Sequence, residues 1–190
     1  CDSKEITRMM LMNDNMEHGI HSVLYKVELF NKIRFPVGLL YEDFATTYYI
    51  LSLCKKVMVI DDCGYFYRVR PESIMTSKVT ARNMTLIETA QQVCSDIVKK
   101  YPDLEIPALR KISITYLNLY FDILNVGFRA FPEEQRKILA VLKKYEKEFE
   151  SASIINKKEK IKFRLALKNK AFFYVICKSK MILRKISHEK

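Results

Sequence analysis

The sequence predicts a mainly α protein, with a small α+β piece over about residues 1–80 and a helical region after it. Three observations carry that prediction. Glycine is scarce, with four in 190 residues, and charged residues make up 29% of the chain, a composition suited to helices. Apolar residues recur at helical spacing through most of the chain beyond residue 82. Short β-branched and aromatic runs separated by a turn occur between Val57 and Arg70, and they account for most of the two to four strands expected. Hydrophobic residues are 49% of the chain, enough for a sizeable core.

Taken in order, Ser3–Met12 reads as a helix with Ile6, Met9 and Met10 on one face and Glu5 near its start. Asn13–Gly19 is a turn-rich break. His21–Phe30 enters the core, first extended and then as a short helix through Glu28–Lys32. Pro36 and Gly38 mark a loop. The loop delivers two adjacent carboxylates, Glu42 and Asp43, to the start of a helix carrying Phe44, Tyr48 and Leu51 at helical spacing. Lys55 and Lys56 follow where a helix end favours cations. Val57–Ile60 reads as a strand, Asp61–Gly64 as a turn and Tyr65–Arg70 as a second strand ending at Pro71.

Ser77–Arg82 is a polar link, after which Asn83 or Thr85 can cap a helix. Leu86, Ala90, Val93 and Ile97 form its stripe, and Tyr101-Pro102-Asp103 breaks it. From Pro107 a second helix is apolar nearly all round, as a helix buried on several sides is, and Gly127 stops it. Phe131-Pro132-Glu133-Glu134 starts a third helix, with Pro near its first position and acids in the first turn. Ile138, Leu139, Leu142, Tyr145 and Phe149 continue it. These breaks divide the chain into residues 1–80, a helical extension over 81–156 and a basic amphipathic helix over 157–190.

The charge is concentrated in that last segment. It holds twelve Lys or Arg and two Glu, a net of +10 against +11 for the whole chain, so the rest is near neutral. Ile161, Leu165, Phe172, Phe173, Ile176, Leu183 and Ile186 lie among the lysines. One reading is a helix lying on an anionic membrane surface. The other is a terminal helix docked on the third helix with its lysines solvated. Nucleic acid is disfavoured as a partner, because the charge sits on one terminal helix and not on a fold built around it.

The remaining composition excludes other classes. Five scattered cysteines form neither Cys-x-x-Cys nor a Cys/His metal spacing and read as reduced thiols, not a disulfide framework. His18, His21 and His188 share no ligand spacing. The longest purely apolar run, Ala171–Cys177, falls far short of the ~20 residues of a spanning helix. The first residue is Cys, and the chain is expected to begin inside a longer protein.

Taken alone, Glu42-Asp43 has an ordinary explanation, since acids at a helix start each stabilise it by roughly 0.3–1 kcal/mol. Its surroundings supply another. The chain carries Leu24-Tyr25-Lys26, Glu28-Leu29-Phe30, Phe35-Pro36, Gly38, Tyr41-Glu42-Asp43, Thr46-Thr47-Tyr48, Ile60-Asp61-Asp62, Tyr65-Phe66-Tyr67-Arg68-Val69-Arg70 and Ser73-Ile74-Met75 in that order. The run over about residues 20–80 resembles the C-terminal half of the catalytic domain of family 2 glycosyltransferases, the inverting GT-A enzymes that build bacterial capsules and other surface polysaccharides. Val23 departs from that pattern, which often has a polar residue there.

The resemblance implies a specific chemistry. An acceptor hydroxyl attacks the anomeric carbon of a nucleotide-sugar while a positioned base removes its proton. Asp43 matches that base, and Glu42 would bind or orient the acceptor. Arg68, Arg70, Ser73 and Tyr41 would face the diphosphate or the acceptor. Alternation on a strand, with both arginines on the solvent side, is the structural alternative for Arg68 and Arg70, and Tyr41 and Thr46-Thr47-Tyr48 also read as packing. A divalent metal, Mg or Mn, would accompany the nucleotide-sugar in the full-length protein. No Asp-x-Asp and no glycine-rich phosphate loop occur in this chain, so neither metal nor donor is expected on it alone, and the fragment is expected to be inactive. The implied setting is cytoplasmic, peripheral to the inner face of the bacterial cell membrane, with a lipid-linked or glycan acceptor and a homodimer kept open. The competing reading is a non-enzymatic helical module that binds a membrane or a protein partner, with Glu42-Asp43 as a cap.

Overall fold

The computed structural model describes residues 1–12, 22–60, 64–66, 68 and 78–188, with side chains through residue 182. The described chain is mainly helical. Its helices are α1 (Ser3–Met12), α2 (Glu42–Leu53), α3 (Thr85–Lys100), α4 (Glu105–Val126), α5 (Pro132–Lys144), α6 (Glu146–Ser151), α7 (Lys157–Lys168) and α8 (Lys170–His188), with single 3₁₀ turns at Val27–Asn31, Ala81–Met84 and Pro102–Leu104. The chain divides into two compact units, Cys1–Lys111 and Ile112–Lys190, and the division falls inside α4.

In the first unit, α1 is capped by Asp2, whose Oδ1 accepts the Glu5 N–H at 2.8 Å. The helix buries Ile6, Thr7, Met10 and Leu11. Ile6 and Met10 form a core cluster with Leu51 of α2, against which Met9 and Val57 pack. Each fully buried side chain of this kind stabilises by roughly 1.5–3 kcal/mol. Helix α2 buries Thr46, Thr47, Tyr48, Ile50 and Leu51 and packs against both α1 and α3. Helix α3 turns Ile87, Ala90, Val93, Cys94 and Ile97 inward. Its Lys100 Nζ donates to the Ser52 carbonyl at 2.7 Å, covering an open carbonyl near the end of α2. Arg110 of α4 does the same for α1, donating to the Leu11 carbonyl at 3.0 Å. Arg110 and Lys111 are buried, which the apolar reading of that helix had not anticipated.

The expected strands are absent from the described residues. Val57–Ile60 forms no strand, and its backbone partner among the described residues is Cys1. The Val57 N–H donates to the Cys1 carbonyl at 2.8 Å, and the Cys1 amino group donates to the Val57 carbonyl at 2.9 Å. Two reciprocal bonds of this kind make one antiparallel residue pair, and a ladder needs several. Met58, Val59 and Ile60 are exposed. Asp61–Cys63, Tyr67 and 69–77 lie outside the described residues, and with them most of the second expected strand. The turn-rich break at 13–19 and His21 lie outside them too.

In the second unit, Gly127 ends α4 and Pro132 opens α5, as the sequence predicts. The predicted third helix is two, because Tyr145 leaves helical geometry at φ −101°, ψ 13° and α6 begins after it. The predicted 157–190 helix is also two. Asn156 caps α7 by accepting the Glu159 N–H at 3.0 Å. Asn169 is extended at φ −149°, ψ 91°, and its side chain accepts the Phe172 N–H at 3.0 Å. An Asn that caps a new first turn interrupts an otherwise continuous apolar repeat. Helix α7 packs on α5 and α8 on α7. Stacked Phe149 and Phe163, 4.2 Å between centroids, tie α6 to α7, and Tyr120 and Phe173, at 5.5 Å, tie α4 to α8.

Candidate functional site

The acid pair sits at the start of α2 behind two unusual backbone positions. Gly38 has φ +78°, and Tyr41, immediately before Glu42, has φ 64°, ψ 36°. A bulky non-glycine residue in this left-handed region costs of the order of 1–3 kcal/mol and persists where its surroundings hold it. Here two residues near the start of α3 do the holding. Asn83 Nδ2 donates to the Tyr41 hydroxyl at 3.0 Å, and Arg82 donates to the Gly38 carbonyl at 3.3 Å. The Asn83 amide is itself fixed, because its Oδ1 accepts the Thr80 N–H at 2.8 Å and the Thr80 hydroxyl at 3.0 Å. The Tyr41 carbonyl then accepts the Ala45 N–H at 3.0 Å and begins the helix.

Glu42 is exposed and Asp43 is half-buried. Asp43 Oδ1 accepts the Phe44 N–H at 2.7 Å, within the first turn, where open N–H groups and the helix dipole favour negative charge. The two carboxylates are therefore presented together at one helix end.

The inner side of α2 is anchored by polar contacts. The Tyr49 hydroxyl donates to Asp96 Oδ2 at 2.6 Å and Tyr48 to the Asp96 carbonyl at 3.4 Å. Gln92 and Lys99 also donate to the Asp96 carboxylate. Hydrogen bonds from Tyr49 and Gln92 hold Asp96 below the usual carboxylate range. Burial, with Tyr101 and Asp96 nearby, pushes Tyr48 up to about 12. Burial and the Asp96 contact also raise Tyr49.

Of the motif residues before the loop, Tyr25 and Phe30 pack, while Leu24, Lys26 and Glu28 are exposed, and none of the described residues of the stretch expected to enter the core is fully buried. Tyr25 meets Phe30 edge-on at 5.6 Å, and Phe30 lies 6.1 Å from Phe35. Burial pushes the Tyr25 phenol up, against an opposing pull from the Thr47 side chain. Thr46, Thr47 and Tyr48 are buried.

Of the predicted site residues, Tyr41, Glu42 and Asp43 stand together. Arg68 is exposed, with no helix or strand to aim it. Arg70 and Ser73 lie outside the described residues. Asn83 and Arg82 were missed as site residues, since Asn83 reads only as a cap. Its spacing from Thr80 signals that local role, and nothing in the sequence signals the contact to Tyr41. Among the described residues no group of three His, Cys, Asp or Glu could hold a metal ion. The described residues supply no ligand set for the divalent metal that the resemblance implies.

No family model matches this chain, and no solved structure matches it. It is similar to a curated protein, glycosyltransferase GlyG of Streptococcus pneumoniae serotype 4 (strain ATCC BAA-334 / TIGR4), at 32% identity over 94 residues. That match covers 48% of this chain and 31% of the relative, so the chain spans about a third of the relative's length.

Proposed function

We propose that this chain is the acceptor-side portion of a family 2, GT-A glycosyltransferase that transfers a sugar from a nucleotide-sugar to a surface-glycan or lipid-linked acceptor. Asp43 is the general base and Glu42 orients the acceptor. The observation that carries this reading is the carboxylate pair held at the start of α2 behind a left-handed Tyr41, beside the similarity to a glycosyltransferase. An alcohol is a poor nucleophile until a positioned base takes its proton during attack. A half-buried carboxylate at a fixed helix end meets that need for position. The nucleotide-sugar and its divalent Mg or Mn would be bound in the full-length protein, where Tyr41, Arg68, Arg70 and Ser73 would serve the acceptor or the diphosphate. This chain by itself would not turn over. The enzyme would work in the cytoplasm, at the inner face of the membrane.

Asp43→Asn in the full-length protein tests the base. Transfer should fall by about 10²–10⁴, the usual worth of a general base, with the circular dichroism spectrum unchanged. Unchanged transfer would remove Asp43 from the mechanism. It would favour a helical binding module, for which the Asp43–Phe44 hydrogen bond inside the first turn of α2 speaks.

A further inference from the structure

We propose that the outward face of α8 is a docking surface for an anionic lipid bilayer. The helix has two apolar faces, and the protein covers one. On the covered face Phe173 and Cys177 are buried, at 0% and 7% exposure. Phe173 stacks on Tyr120, and Tyr174 contacts Phe121 and Phe128. Two lysines bolt the same side down. Lys170 donates to Gln135 Oε1 at 2.7 Å and to the Phe128 carbonyl, and Lys178 donates to Asn125 Oδ1 at 2.7 Å.

The other face carries Phe172, Val175 and Ile182, at 59%, 57% and 48% exposure. With exposed Ser179 between them they recur at spacings of three, four and three residues, so they form one stripe. An aromatic and two branched aliphatic side chains in a solvent-facing row cost free energy in water.

Charge selects the occupant. Residues 157–190 carry a net +10 of the chain's +11, and Lys157, Lys158, Lys168 and Lys180 of α7 and α8 are exposed. A row of apolar side chains in a terminal segment whose exposed lysines lie mostly on α7, with Lys180 on α8 itself, matches a bilayer with anionic headgroups. There the apolar residues enter the headgroup boundary and each nearby cation adds attraction. No described helix is long and apolar enough to cross a membrane, so the contact lies in the interfacial plane. The inference stands whether or not the chain serves sugar transfer.

The test uses the 190-residue chain and two sets of vesicles, phosphatidylcholine alone and phosphatidylcholine mixed equally with phosphatidylglycerol. Co-sedimentation should be strong with the mixed vesicles and weak with phosphatidylcholine alone, and salt should reduce it. The triple variant Phe172→Ser, Val175→Ser, Ile182→Ser changes only exposed positions. It should keep the melting profile and lose binding by about tenfold or more. The chain contains no tryptophan, so Phe172→Trp provides a unique reporter whose emission should shift to the blue on mixed vesicles. Equal binding to both vesicle types, no binding, an unshifted tryptophan or unchanged binding by the triple variant would each overturn the proposal. A dimer dissolved by the triple variant, without vesicle binding, would assign the face to a second copy instead.

Discussion

The two units are held together differently. In Ile112–Lys190, aromatic rings pair across helices: Tyr120 with Phe173, Phe121 and Phe128 with Tyr174, and Phe149 with Phe163. In Cys1–Lys111, directional contacts join residues distant in sequence, Tyr49 to Asp96, Asn83 to Tyr41 and Ser3 to Tyr101. Large apolar side chains such as Leu24, Val37, Met58 and Phe66 stand exposed there. Apolar burial is non-directional and tolerates small shifts, whereas hydrogen bonds fix positions within tenths of an ångström. The second unit has long-range hydrogen bonds as well, such as Lys170 to Gln135 and Lys178 to Asn125, but it is those of the first unit that fix the loop bearing the carboxylate pair.

That comparison can be broken at its strongest point. Phe163→Ala removes a fully buried ring stacked on Phe149 and should cost about 3–5 kcal/mol. Hydrogen exchange should show lost protection across α5–α8 and retained protection in α1–α3. Equal loss in both would mean that the units unfold as one.

A smaller effect sharpens the other side. Asn83→Ala removes the donor to Tyr41 and should cost about 1 kcal/mol, read as a lower denaturation midpoint. On the proposed function, Asn83→Ala in the full-length protein should also slow transfer, because Asn83 holds Tyr41 and orders Thr80. Equal rates in wild type and Asn83→Ala would separate the loop's order from the chemistry.

The smallest effects appear in the pH dependence. The Asp96 carboxyl is held below its ordinary 3.8 by Tyr49 and Gln92. Its stabilisation is therefore present above about that pH and is lost as pH falls through the lower folded value. Asp96→Asn should flatten the acid limb of the stability profile. At the other end, Tyr48 rises from 10.0 to about 12. Its contribution is whole below pH 10 and is lost as pH rises through about 12, so Tyr48→Phe should blunt the alkaline limb of a denaturant melt.

Much of the helical framework was legible in the sequence. Ser3–Met12, the start of α2 at Glu42, the Gly127 stop and the Pro132 start all appear where periodicity and capping residues put them. The strand expected at Val57–Ile60 was not, because the segment has strand composition but among the described residues finds only Cys1 as a backbone partner, and composition does not report partners; most of the second expected strand lies outside the described residues. The breaks at Tyr145 and Asn169 were missed because the apolar repeat runs through both. In the site, Glu42-Asp43 was visible as a motif, while the Asn83–Tyr41 contact spans 42 residues that no local pattern links.

The sequence by itself determined where most of the helices start and stop, which segment carries the charge and where two carboxylates adjoin. Each of these depends on neighbours within a turn or two or on a simple count. The tertiary structure decided that Tyr41 takes a left-handed backbone, that Arg110 and Lys111 are buried, and that in α8 Phe173 and Cys177 are buried while Phe172, Val175 and Ile182 are exposed. A helical repeat defines a face but not what meets it, and strained or buried polar groups persist only where distant residues supply the compensating contacts.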